Sequence, residues 1–406
     1  MLKIGILSTL FGPYQVAGED GVRGAKLALK EFGYRAGGHD LEVDIEGTNA
    51  MGASATQACE NLANKGVKLF VGPLSGDEAI AVRLFANEHP ASTFVNGGSA
   101  SQPMFNPAEN FFMFNATGAQ LMTGLGKYCY ETLGFRRIAT IGEAYSFPFA
   151  QIGGFALDFT NHGGEISNFI WCALGTTDYE NNIGEIPDDV DAVYSTLGGT
   201  DGLNFLEQFR VKHGNTLPLV AGSIFGDQSL LTSVKHHAEM LKGVVSASTH
   251  ADNIDTRAWN DFLEMYRNTY PVEERFYAPS FFAFTYYTSM KALLLALDAV
   301  DGDITKVQDA LKALVFESPV GKVRLDHHRT AIIDTFINEI RQTETGELYT
   351  HMLQRIPETN VTFGMSDDDY MEIGDFSVHR MPGMKKQRTL QDVLAAAKKK
   401  AKKDRA

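Results

Sequence analysis

Short apolar runs alternate with helix-period segments through the first half of the chain. The runs lie at 3–8, 41–45, 68–71, 92–95 and 111–114. Between them, Val22, Ala25, Leu29 and Phe32 recur at helical spacing, and 55–65 and 77–87 repeat the pattern. Continuous apolar runs separated by amphipathic helices predict strands buried on both faces, hence a parallel sheet covered by helices. The alternation restarts after Asn115. A helix through Leu121, Leu125 and Tyr128 precedes a run at 137–141. Helix–strand pairs follow at 155–161 and 165–171, at 203–212 and 217–221, and at 229–238 and 243–247. Strong helices are expected at 256–268, 279–299 and 305–314, and strands at 320–325, 330–340 and 348–354. The chain is therefore expected to be α/β, with two open parallel-sheet lobes.

A length of 406 residues with 44% hydrophobic composition supports two cores rather than one. The expected lobes are 1–117 plus 250–324 and 118–249 plus 325–380, followed by a basic tail at 381–406. Net charge is −14. From Lys385 onward nine Lys/Arg stand against two Asp, a net +7, which leaves −21 on the remainder. So acidic a body repels phosphate backbones, and nucleic acid is not an expected partner. The tail carries Leu390, Val393, Leu394 and Ala397 at helical spacing before a lysine cluster, the pattern of a solvated helix.

Cys59, Cys129 and Cys172 form no CxxC pair, so buried, inert thiols are expected rather than a zinc or disulfide framework. The most apolar stretch, 276–297, contains Pro279, three tyrosines and Lys291, which suits a core helix better than a membrane span. Met1 leads straight into a strand, with no leader pattern before it. Phosphate-cradling, dinucleotide and nucleophile-elbow motifs are all missing. His236–His237 and His327–His328 are adjacent pairs. On a helix such neighbours point about 100° apart, so no metal is expected. No cofactor and no catalysis are expected.

The chemistry sits at strand exits. Residues 72–77 (GPLSGD) follow one strand, and 96–103 (NGGSASQP) follow the next. Small polar turns at the carboxyl ends of parallel strands offer free N–H groups and hydroxyls to an anion. In the second half, Glu143-Ala144-Tyr145-Ser146-Phe147, Leu197-Gly198-Gly199-Thr200-Asp201 and Gly222-Ser223-Ile224-Phe225 occupy equivalent exits. Their aromatic residues are placed to wall a pocket.

Taken in order, these segments resemble the type I periplasmic solute-binding proteins, specifically the leucine/isoleucine/valine-binding family of ABC importers. The resemblance runs over nearly the whole chain. It rests on Ile4-Gly5-Ile6-Leu7, Gly12-Pro13-Tyr14, Gly24-Ala25-Lys26-Leu27-Ala28, Val71-Gly72-Pro73-Leu74-Ser75-Gly76, Ser99-Ala100-Ser101-Gln102-Pro103, Asp191-Ala192-Val193-Tyr194 and Pro319-Val320-Gly321-Lys322-Val323. It implies two Rossmann-like lobes joined by three crossovers, which close on a small carboxylate by hinge motion and then dock on permease subunits. It also implies a periplasmic location with the leader absent from this chain. A cytoplasmic amide sensor of the same fold is the alternative if the native protein has no signal peptide.

Carried over by position, Ser75, Gly76, Ser99, Ala100 and Ser101 are first-lobe contacts. Phe147, Gly198 and Ile224 are second-lobe contacts, with Tyr145 and Phe225 beside them. Phe276 and Tyr277, ahead of the long helix, are expected to reach the cleft. Gly76 stands where the amino-acid binders have a serine, and Ser223-Ile224 where they place a glutamate for the ligand's ammonium. The family's cysteine pair is missing. Glu143, Asp201 and Asp227 are the acids available as substitutes, and position does not choose among them. A carboxylate with an apolar or aromatic body is therefore expected in preference to an α-amino acid.

Overall fold

The computed structural model describes residues 1–100, 105–106 and 108–384. The tail helix expected around Leu390, and Ser101 of the second exit loop, lie outside the described residues.

The first lobe is built on a six-stranded sheet, in spatial order β2-β3-β1-β4-β5-β6. Its strands are β1 (Leu2–Thr9), β2 (Arg35–Ala36), β3 (His39–Thr48), β4 (Leu69–Val71), β5 (Thr93–Val95) and β6 (Phe111–Phe112). All of its pairings are parallel except the short β2–β3 ribbon. The second lobe holds a nine-stranded sheet. Its parallel part comprises β7 (Arg137–Glu143), β8 (Glu165–Cys172), β9 (Ala192–Ser195), β10 (Leu219–Ala221) and β11 (Val245–Ser248). An antiparallel extension adds β12 (Val315–Ser318), β13 (Gly321–Leu325), β14 (Ala331–Gln342) and β15 (Leu348–Thr359).

The chain passes between the lobes three times: after β6, after β11, and after the helix Val307–Ala313. β12 and β13 pair with one another and then with β14, so the late strands up to residue 325 belong with the second sheet. The expected boundary at 324 had placed them with the first lobe. The crossover after β6 is pinned by Gln120, whose buried side-chain amide donates to Ala331 O and Thr359 O at 3.0 and 2.9 Å. A buried amide with its donors satisfied fixes where a crossing strap sits.

Two helix starts differ from the sequence pattern. The helix expected from 155 begins at Ser146, so Phe147 and Pro148 occupy its first turn. Proline is tolerated there because first-turn N–H groups lack intrahelical acceptors. The helix expected over 121–128 is broken at Gly124, which adopts φ 85° between a short 3-10 turn and the helix Leu125–Glu131. Cys59, Cys129 and Cys172 are free and buried. No helix among the described residues is long and apolar enough to cross a membrane.

The long helix Phe281–Ala299 is apolar nearly all round because it is covered nearly all round. It packs on Gln15–Glu31, and two buried hydrogen bonds seat it, one on that helix and one on β1. Ser280 Oγ donates to Asp20 at 2.6 Å, and Tyr286 OH donates to Leu7 O at 2.6 Å. Close approach requires Gly24, where a Cβ would lie 1.9 Å from the Ala283 carbonyl oxygen. Helix backbones cannot yield by that much without separating. Gly24→Ala should therefore destabilise the protein by about 1–3 kcal/mol, the usual cost of overpacking, despite alanine's better helix propensity. Urea unfolding checks this; a variant as stable as the parent would contradict the packing described.

Candidate functional site

The carboxyl ends of the parallel strands in the two lobes face one another, and their exit loops meet around a small cavity. From the first lobe come Tyr14, Leu74, Ser75, Gly76, Gly98 and Ala100. The second lobe supplies Tyr145, Phe147 and Ile224, and the start of the long helix adds Phe281 and Phe282. The walls are thus mainly aromatic and aliphatic, with backbone and hydroxyl groups at particular points. That lining suits a small organic molecule with an apolar body.

The first-lobe end is organised by a helix start. Ser75 caps Gly76–Glu88 in a capping box, its hydroxyl accepting from Glu78 N at 3.3 Å and donating to Ala50 O at 3.0 Å. Its side chain is fully committed. Gly76 N–H is the first of the helix and has no intrahelical acceptor. In the next loop Asn96 and Asn115 amides donate to Ser99 O at 2.6 and 3.0 Å, which fixes the turn. Ser99 Oγ is buried with no partner among the described residues. It lies between Gly98 and Ala100, both of which line the cavity.

The second-lobe wall is set by two local hydrogen-bond patterns. Gln151 receives Ser223 N–H at 3.1 Å and donates to Ser223 Oγ at 2.7 Å, which holds the loop so that Ile224 faces the cavity. Gly198 lies behind it. A Cβ there would sit 2.7 Å from Ile224 Cδ1 and 3.3 Å from Tyr14 Cε1, so only glycine lets these walls meet.

Glu143 lies at the centre of the contact between lobes. Tyr14 OH donates to Glu143 Oε1 at 3.3 Å and lies 3.0 Å from Tyr145 OH, and Gly198 N–H donates to the same Oε1 at 3.4 Å. Oε2 has no partner among the described residues. Burial, with the Asp201 charge adding, pushes this carboxyl up to about 8. It is therefore predominantly neutral at pH 7. Burial and the neighbouring Glu143 hold the Tyr14 and Tyr145 hydroxyls well above their usual range, so both remain protonated. A further bond spans the lobes, from Ser146 Oγ to Asp77 Oδ1 at 2.5 Å. The cleft is closed.

The other two acids are engaged elsewhere. Asp227 accepts from Ser229 N–H and Oγ through one oxygen and from Phe281 N–H at 2.7 Å through the other. It ties the second lobe to the first turn of the long helix. Asp201 accepts from Gly175 N–H at 2.6 Å.

Ser75, Gly76, Ala100, Tyr145, Phe147 and Ile224, six of the positions named from sequence, surround one cavity, and Ser99 and Gly198 adjoin it. Phe225 instead points into the second-lobe core, edge-on to Phe205 at 6.2 Å. Phe276 and Tyr277 do not reach the cavity. Arg275 and Arg267 bind their carbonyls at 3.0 and 3.1 Å, and Tyr277 lines a separate surface cleft. The aromatic pair that does reach it is Phe281–Phe282. The signal that would have found it is Ser280, the helix cap, whose hydroxyl accepts from Ala283 N. Tyr14 was legible only as part of a Gly-Pro-Tyr turn.

Among solved structures, an ABC transporter substrate-binding protein from Sphaerobacter thermophilus is 26% identical, with 88% of this chain and 98% of that one covered at a TM-score of 0.79. A solute-binding protein from Rhodopseudomonas palustris BisB5, in complex with 3,4-dihydroxybenzoic acid, is 21% identical over 88% and 98% of the two chains, at a TM-score of 0.81. A branched-chain amino acid transporter substrate-binding protein from Streptococcus pneumoniae, in complex with isoleucine, is 20% identical over 86% and 100%, at 0.74. The last two likenesses are of fold alone. No curated protein sequence matches the chain. The family profile described as periplasmic binding protein matches residues 1–345, and with the two-lobed fold and interlobe cavity it shows that this chain belongs to the periplasmic binding protein family.

Proposed function

We propose that this chain is the solute-binding component of an ABC-type importer, that it works outside the cytoplasm and delivers to membrane permease subunits, and that its solute is a small carboxylate with an aromatic or other apolar body. The neighbouring structures are substrate- or solute-binding proteins of transporters, which favours the importer over the cytoplasmic amide sensor. The observation that carries the ligand class is the pairing of an apolar cavity with a buried acid, Glu143, that is mostly neutral at pH 7.

Gly76 N–H, at the start of a 13-residue helix, and the unpartnered Ser99 hydroxyl support a carboxylate at the first-lobe end. Phe147, Ile224, Phe281 and Phe282 give its body an apolar surround. A leucine-like ligand would add an ammonium group. Asp227 and Asp201 are engaged elsewhere, which leaves Glu143 with its unpartnered Oε2 to receive it, and it would first have to release its proton. The neighbours include binders of both classes, a dihydroxybenzoate and an isoleucine. The protonated Glu143 favours the first.

At equal concentration, 4-hydroxybenzoate or a phenylpropanoid acid should raise the melting temperature more than leucine. Saturation at 100 times the dissociation constant adds about 2.7 kcal/mol, ample for a thermal scan. A shift with leucine, isoleucine or valine and none with any aromatic acid would overturn the ligand class and leave the transport role standing. Ser99→Ala should weaken carboxylate binding by about 1–3 kcal/mol, the range for a hydrogen bond to a charged group, with little change in stability. Unchanged affinity by calorimetry would remove Ser99 from the site.

Because the Glu143 carboxyl is raised from 4.5 to about 8, the folded protein retains a proton that the unfolded chain loses. The stability this group contributes is complete below its unfolded value and is lost as pH rises through about 8. Glu143→Gln cannot ionise. It should flatten the fall in melting temperature between about pH 4.5 and pH 8. An identical slope in parent and variant would show that Glu143 is not the buried acid described.

A further inference from the structure

The loop between β13 and β14 is a tight turn. Arg329 adopts φ 62° and its N–H donates to Asp326 O at 3.0 Å. Asp326 Oδ1 accepts from His328 N–H and Thr330 N–H, both at 2.9 Å. Adjacent residues diverge on a helix, but this turn brings two adjacent imidazoles together. The His327 and His328 rings lie 3.8 Å apart, and both Nε2 atoms contact one oxygen, Asp367 Oδ2, at 2.8 and 2.9 Å. Asp367 is the first residue of the helix Asp367–Ile373. Among the described residues this is the one group of three His, Cys, Asp or Glu whose ligand atoms all lie within 4.8 Å of one another.

We propose that His327, His328 and Asp367 form a binding site for a divalent transition-metal ion of the Zn²⁺ class, with solvent completing the coordination. Tetrahedral zinc takes imidazole nitrogen and carboxylate oxygen at about 2.0–2.2 Å, which sets ligand atoms roughly 3.3–3.5 Å apart. The present contacts need to open by only about half an ångström to admit the ion. Two imidazoles and one carboxylate select Zn²⁺, Co²⁺, Ni²⁺ or Cu²⁺ over Mg²⁺ and Ca²⁺, which prefer all-oxygen shells. The His328 ring is pre-set, stacked on Phe105 at 3.6 Å with an interplanar angle of 6°. The His327 side chain is 71% exposed, which leaves an open side for ion and water.

The ion would join the β13–β14 turn to the helix at 367–373. The same turn supports the chain downstream of the Ser99 loop. Phe105 rests on His328, and Arg329 donates to Asn106 O at 2.9 Å and to Glu109 at 3.1 Å. Metal occupancy would thus stiffen a support of the ligand loop without entering the cavity.

The test uses the full chain, stripped with chelator and titrated with ZnCl₂ by calorimetry, with the Co²⁺ absorption spectrum as a second readout. One ion per chain is expected, with a rise in melting temperature from Zn²⁺ that Mg²⁺ and Ca²⁺ do not give. His327→Gln, at an exposed position that leaves folding intact, should weaken Zn²⁺ about tenfold or more, as should Asp367→Asn. Replacing His236 and His237 together by glutamine should leave the affinity unchanged. No binding up to millimolar Zn²⁺ would overturn the proposal. So would binding that survives His327→Gln and Asp367→Asn, or that is lost with His236 and His237.

Discussion

The contact of Tyr14 with Glu143 and Tyr145 joins the two lobes of this protein at the cavity itself. Tyr14 belongs to the first lobe, while Glu143 and Tyr145 leave β7 in the second, so their hydrogen bonds exist only when the cleft is shut. Closure removes a carboxyl from water, and the structure meets that cost by keeping the proton on Glu143 and directing Tyr14 OH and Gly198 N–H at one of its oxygens. Opening would return Glu143 to solvent and its acidity toward the ordinary range. Lobe closure and protonation are therefore linked. This is why a single buried acid bears on both the stability of the closed state and the kind of molecule it encloses.

Much of this was legible along the chain. The strand–helix alternation points to parallel sheets because Leu69-Phe70-Val71 and Phe94-Val95 are apolar at consecutive positions, as strands covered on both faces are. The exit loops were recognisable as glycine- and serine-rich turns, and six named positions converge on one cavity. Side-chain direction was not legible. Ser75 is consumed by a capping box whose partner, Glu78, fits equally well as an ordinary helix residue. Ile224 and Phe225 are adjacent, and only the Gln151–Ser223 clasp decides that the first faces the cavity and the second the core. A helix start at Pro279 leaves Phe281 and Phe282 inside the helix and puts Phe276 and Tyr277 ahead of its mouth, whereas the Ser280 cap sets Phe281 and Phe282 in the first turn, at the cavity.

The histidine pair shows the same limit from the other side. Adjacent imidazoles diverge on a helix, and that premise argued against a metal. His327 and His328 sit instead in a turn closed by Asp326, and a third ligand, Asp367, arrives from a helix about forty residues later. Local spacing could not reveal a group assembled by tertiary structure. Among the acids, Asp227 and Glu143 were equivalent by position, yet one caps helices with both oxygens while the other keeps Oε2 unpaired beside the cavity.

Because the cavity walls come from both lobes, a ligand can be gripped only by bringing them together. Interlobe bonds such as Ser146 to Asp77 then lock a state that the open protein lacks. Small-angle X-ray scattering of the protein alone and saturated with an aromatic acid that binds it tests this directly. The predicted result is a smaller radius of gyration in the bound sample. Superimposable scattering curves at confirmed saturation would contradict hinge closure on the ligand.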